Sequence, residues 1–111
     1  MNSKYKQERE LVRNLAKLIG DIYQDHNRLA NIDEIRAGIE EYNRDHGIEI
    51  THSDLLLHLR KLSELEKSEI FSKRKSFGCN LEHMLMRFSL EKTQKSYDAQ
   101  RPKTKYGEDN G

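Results

Sequence analysis

The sequence predicts one mainly α domain, three helices closed by a small β-hairpin, followed by a basic tail without fixed structure. Three observations carry that expectation. Apolar residues recur at helical spacing in three successive segments between Leu11 and Leu65, the second and third of these segments open on capping signals, and the pattern changes to period two from Ile70 onward. A chain of 111 residues is the size of one domain. Its expected extent is 1–92, with 93–111 as the tail.

The first helix is expected from about Lys4 to His26. Leu11, Val12, Leu15, Leu18, Ile19, Ile22 and Tyr23 follow the i, i+3, i+4, i+7 series. With Ala16 the apolar face spans roughly 160°, wider than the ~100° stripe that covers one small core. A second copy would have room to share it, which makes helix 1 the candidate homodimer surface.

Asn31, with Glu34 three positions later, forms a capping-box signal for a second helix from about Ile32 to Asp45. Its inward face is Ile32, Ile35, Ile39 and Tyr42, and Gly47 stands where a left-handed cap is wanted. Thr51 and Asp54 repeat the capping pattern. Leu55, Leu56, Leu59, Leu62 and Leu65 then continue a third helix to about Glu66.

Beyond it, Phe71, Lys73, Lys75 and Phe77 alternate with Ile70, Ser72, Arg74 and Ser76. After Gly78-Cys79-Asn80, the residues Met84, Met86, Phe88 and Leu90 fall on one face of a second extended run. A β-hairpin from about Glu69 to Glu91 is the expected result. The tail from Thr93 to Gly111 has only Tyr97, Ala99 and Tyr106 as apolar residues, too little surface to offset its chain entropy.

The segment Thr51 to Lys75, above all the leucine-spaced stretch Leu56 to Leu65 with its His-Leu-Arg-Lys-Leu centre, resembles the recognition helix and first wing strand of winged helix-turn-helix domains. The order of elements is similar over residues 10–91. Two features depart from that family: Glu66-Lys67-Ser68 stands where glycine is usual, and the link His46 to Ile50 is longer than the tightest helix-turn-helix turn. The resemblance implies that helix 3 enters a DNA major groove and that the hairpin touches an adjacent backbone or minor groove.

On a helical wheel, helix 3 leaves Ser53, Asp54, Leu57, Arg60, Lys61 and Glu64 on the side away from its buried leucines. Arg60 and Lys61 suit guanine edges or phosphates, Ser53 a phosphate, and Leu57 a thymine methyl, while Asp54 and Glu64 repel phosphate. Lys73, Arg74 and Lys75 form the densest basic cluster, in a segment Phe71 to Asn80 that holds no acid. Lysines on an edge strand also protect against intermolecular pairing, so this cluster has a purely structural explanation as well.

Net charge is only +1, with a balance of −2 over residues 1–50 and +3 over 51–111. A domain that neutralises many phosphates usually has a clearer excess, so distribution must decide. The tail carries Lys92, Lys95, Arg101, Lys103 and Lys105 against Asp98 up to Tyr106, whereas helix 2 is acidic, with Asp33, Glu34, Glu40, Glu41 and Asp45. The function these features point to is a DNA-binding transcriptional regulator or architectural protein with double-stranded DNA as partner. The rival is a protein-interaction module or inhibitor of the same fold, binding a protein through Leu57 and helix 2.

Enzymatic chemistry is not expected. The histidines at 26, 46, 52, 58 and 83 have no HExxH spacing, Cys79 and His83 make one isolated pair, and the six glycines form no phosphate loop. No metal or cofactor is therefore anticipated. One cysteine excludes an internal disulfide framework, no apolar run approaches the ~20 residues of a membrane span, and no secretory segment opens the chain. A cytoplasmic setting is the expectation.

Overall fold

The structure is a computed structural model. It describes residues 3–100, with side chains for 3–88 and for Leu90. Five helices follow one another: α1 (Ser3–His26), α2 (Ile32–His46), α3 (His52–Lys61), α4 (Glu64–Ile70) and α5 (Lys75–Gln100). The described residues contain no strand.

The first two helices stand where their apolar spacing puts them, and the third begins where its cap predicts. In α1, Leu11, Val12, Leu15, Ala16, Ile19 and Ile22 are buried. They pack against α2, α3 and α5 of the same chain, so the wide face that suggested a homodimer is covered internally. Asn27, in the left-handed region at φ 55°, closes α1 with its amide on the Tyr23 carbonyl at 2.8 Å; asparagine tolerates that conformation better than most residues.

Helix α2 opens on a complete capping box. The Glu34 amide donates to Asn31 Oδ1 at 2.9 Å, and the Asn31 amide donates to Glu34 Oε1 at 2.8 Å. Arg28 reaches the same carboxylate through both terminal nitrogens, at 3.0 and 2.9 Å, and holds its pKa down to about 2. The helix ends at Gly47, φ 63°, where a residue with a Cβ would be strained. The link to α3 is pinned by Asn43, whose amide group both donates to the Ile50 carbonyl (2.9 Å) and accepts from its N–H (3.0 Å). Ile50 is thereby drawn into the core.

The third helix is shorter than its leucine pattern suggests. It stops at Lys61, because Leu62 is extended (φ −78°, ψ 144°) and Ser63 starts α4 with its own capping box to Glu66. Ser63-Glu-Leu-Glu66 offers the chain a cap in the middle of a run that leucine spacing alone would continue. Leu65, expected on the buried face, is 68% exposed.

The expected hairpin is absent, and with it the mixed α/β winged-helix architecture. Residues 75–100 form the single long helix α5, which buries Phe77, Leu81, Met84, Leu85 and Phe88. Over Met84 to Leu90 two periods overlap: Met84 and Phe88 fit both a strand face and a helix face, but Leu81 and Leu85 fit only the helix. Both are fully buried, while Met86 and Leu90, inward in the strand register, are 40% and 67% exposed. Burying two more leucines against α3 decides the competition. Gly78, a turn residue in the hairpin reading, lies inside α5, where the Phe71 ring packs so closely that an added Cβ would sit 3.2 Å from it.

The basic cluster is likewise not a hairpin tip. Ser72 and Lys73 take φ 53° and 65° between α4 and α5. The Lys73 amide reaches back to the Ser68 carbonyl and the Arg74 amide to Phe71 (2.8 Å), a Schellman-type closure built without glycine. Helix α5 also runs through Gln100, into the segment expected as a tail; the remainder of that tail, 101–111, lies outside the described residues.

Truncation separates the two registers. Leu81→Ala and Leu85→Ala should each lower unfolding stability by about 2–5 kcal/mol in urea titrations, whereas Met86→Ala and Leu90→Ala should cost less than about 1 kcal/mol. Equal losses at the four positions would restore period two.

Candidate nucleic-acid interface

Ser53, Leu57, Arg60 and Lys61 are all exposed on α3, but most of the charge around them is already paired. Arg60 Nε lies 3.4 Å from Glu82 Oε2 on α5, and Asp54 meets Lys4 Nζ at 3.2 Å. Lys75 Nζ stands 3.4 Å from Glu64 on α4. Arg74 turns the other way, its guanidinium 5.1 Å from the Tyr23 ring centroid on α1 and 5.4 Å from that of Phe77. The seven residues singled out in the sequence are thus divided. Arg60 and Lys75 are tied to acids around α4 and α5, and Arg74 is folded onto α1.

A second set of cations was not singled out. Lys6, Arg9, Arg13 and Lys17 follow one another at steps of three, four and four along α1, and all are exposed. At 100° per residue they fall within about 80° of one another, opposite the buried Leu11, Leu15 and Ile19. From Lys6 to Lys17 the stripe is about 16 Å long. Among the described residues, Lys6, Arg9 and Arg13 have no ion-pair partner, and neither have Lys73 and Arg74. The acids that flank the stripe are engaged: Glu10 accepts the Tyr42 hydroxyl at 2.6 Å, and Asp21 pairs with Lys17 at 2.9 Å. Burial, then the Glu10 carboxylate, pushes the Tyr42 phenol up to about 12, so it remains a donor at neutral pH.

At Arg13 the stripe meets an open groove of about 820 Å³ between α1 and the α4–α5 turn. Arg13, Lys17 and Arg74 border it, and Ala16, Ile70 and Phe77 contribute apolar surface. The sequence signal for the stripe was the period of the charges themselves. Net charge by segment conceals it, because the same helix also holds Glu8 and Asp25 on other faces and Glu10 and Asp21 along the edge of the stripe.

Among the described residues no three His, Cys, Asp or Glu side chains come together in a way that could hold a metal ion, and Cys79 and His83 are both exposed on α5. No described helix is long and apolar enough to cross a membrane.

One titratable side chain is buried where α1 meets α3. His58, 2% exposed, packs against the Tyr5 ring at 4.8 Å. Its Nδ1 lies 3.5 Å from Glu8 Oε1, at the outer limit of a hydrogen bond, and neither ring nitrogen finds a better partner. Burial holds the His58 pKa below its ordinary 6.5; the Glu8 carboxylate opposes that shift, and Arg9 and Lys61 reinforce it.

Known protein families, curated proteins and solved structures were compared with the chain, and none matches.

The His58 environment makes stability depend on pH with a defined sign. The fold accommodates the neutral imidazole, so the unfolded chain takes up a proton near pH 6.5 before the folded one does. This contribution is complete above that pH and declines as pH falls toward the lower folded pKa. Urea midpoints measured between about pH 7.5 and 5.5 should fall in the native chain and fall less in His58→Leu; parallel declines would mean that His58 is not the source.

Proposed function

We propose that the protein is a non-enzymatic DNA-binding module that grips the phosphate backbone along α1 and the α4–α5 turn. The observation that carries this is the run of exposed cations Lys6, Arg9 and Arg13, none within ion-pair distance of an acid among the described residues although Arg9 acts on Glu66 from farther off, leading toward Lys73 and Arg74. DNA binding therefore moves from the face of α3, where Arg60 is held by Glu82, to the outer face of α1. Phosphate contacts position a protein without reading sequence, so an architectural or accessory role fits better than recognition of a defined operator.

Near-neutral net charge is compatible with this because the charges are segregated. Glu40, Glu41 and Asp45 are exposed on α2, while α1 presents its cations opposite the core that α2 helps to form. At physiological salt, screening over about 8 Å leaves a nearby phosphate responding mostly to the closest side chains.

A second reading has its own support. Leu57 on α3 and Leu65 on α4 are 56% and 68% exposed beside charges that are already paired, a surface better suited to a protein partner than to phosphate.

Replacing Arg9, Arg13 and Lys73 together by glutamine should weaken duplex binding and flatten the plot of log K against log salt by up to about 2.7, at about 0.9 per lost phosphate contact. Leu57→Asp should leave that plot unchanged. Fluorescence polarisation of a labelled mixed-sequence duplex at several salt concentrations measures both; an unaltered slope in the triple variant would remove α1 from the interface.

A further inference from the structure

The groove at the end of the cation stripe has more than phosphate chemistry. Its surface combines apolar side chains (Ala16, Ile70, Phe77) with an aromatic edge at Tyr23, which is 37% exposed. The Arg74 guanidinium lies over the Tyr23 and Phe77 rings. Gln24 and Asn27 add carboxamides that both donate and accept. Gly20 leaves the α1 wall bare: a Cβ built there would meet nothing within 4 Å.

We infer that this groove receives an unpaired nucleobase from the strand whose phosphates lie along α1, so that the protein prefers single-stranded DNA to continuous duplex. The inference rests on the proposed DNA binding and adds the form of the nucleic acid. A base has two planar faces and a polar edge. The guanidinium of Arg74, held 5.1 and 5.4 Å from the Tyr23 and Phe77 ring centroids, is a planar group able to meet the face of a base, and the amides of Gln24 and Asn27 suit an edge. Arg13 borders the same opening, where a flanking phosphate would lie, while Lys17 stands on the groove wall already paired with Asp21. In a duplex the bases are stacked and paired, so neither their faces nor their pairing edges can enter a groove of this kind without being extruded first. Cationic tracks joined to stacking platforms are the usual means of holding single strands.

The test compares a labelled single-stranded 20-mer with its duplex, at matched low and moderate salt, for the native chain and three variants. Gly20→Leu fills the groove from a position where the added side chain meets open space, and leucine is a better helix former than glycine, so the fold is retained. Arg74→Lys keeps the charge and removes the plane. The triple variant Arg9→Gln, Arg13→Gln, Lys73→Gln reports on phosphate contacts alone. Expected are tighter binding of the single strand by the native chain, and a loss of about five- to a hundredfold for the single strand only in Gly20→Leu, with a smaller loss of the same selectivity in Arg74→Lys. The triple variant should weaken both ligands. If native binding is equal for the two ligands and Gly20→Leu changes neither, the nucleobase inference is overturned while DNA binding stands. If neither ligand shows salt-sensitive binding, both fail.

Discussion

The packing of α5 across α3 is the contact on which the rest of the molecule depends. These two helices share the most extensive interface in the fold, and Leu55, Leu59, Leu81 and Leu85 are buried almost completely in the core to which both contribute. Without α5, the inner face of α3 would have only α1 against it as a major partner, and Phe71 and Phe77, which anchor the turn between α4 and α5, would lose their cover. The outer face of α1 is free to carry cations because its inner face is fully engaged by the rest of this core.

The start of the molecule was legible because several local signals agree there. Asn31 with Glu34 and Thr51 with Asp54 each form the reciprocal caps that their spacing suggests, and Gly47 adopts the left-handed conformation expected at its position. Agreement failed in two places. At Ser63 a third capping box competes with a leucine series, and local hydrogen bonding prevails over periodicity because Leu65 has no core to reach. Beyond Lys75 the alternation of Met84, Met86, Phe88 and Leu90 is genuine in the sequence, but it competes with a helical series through Leu81 and Leu85 that only a partner surface can favour. That surface is α3, more than twenty residues away in sequence. Tertiary burial therefore chose between two local patterns of comparable strength.

The candidate interface was hidden for a different reason. A count of charges along a segment averages over all faces of a helix, whereas a polyanion meets one face. In α1 the cations at Lys6, Arg9, Arg13 and Lys17 share a face, and the neighbouring acids are engaged by Tyr42 or Lys17. The cluster Lys73-Arg74-Lys75 was visible as composition, but its three members serve different ends once the chain turns. Lys75 is drawn to Glu64, Arg74 is held by Tyr23 and Phe77, and Lys73 is left to solvent without an ion pair among the described residues.

That division follows from the geometry of the turn. Two successive left-handed residues without glycine, Ser72 and Lys73, cost on the order of 1–2 kcal/mol each in an isolated chain. They are held here because Phe71 before them and Phe77 after them are both buried, at 2% and 6% exposure, so the chain must reverse within a few residues to seat both rings. The same reversal fixes where Arg74 leaves the backbone, with its guanidinium 5.1 Å from the Tyr23 ring centroid and 5.4 Å from that of Phe77. An arginine set on an aromatic pair by a turn of this kind has little rotamer freedom left to lose on binding. The groove beside α1 is consequently a product of core packing: the two phenylalanines that close the hydrophobic interior also bring a cationic plane to the edge of the opening left by Gly20.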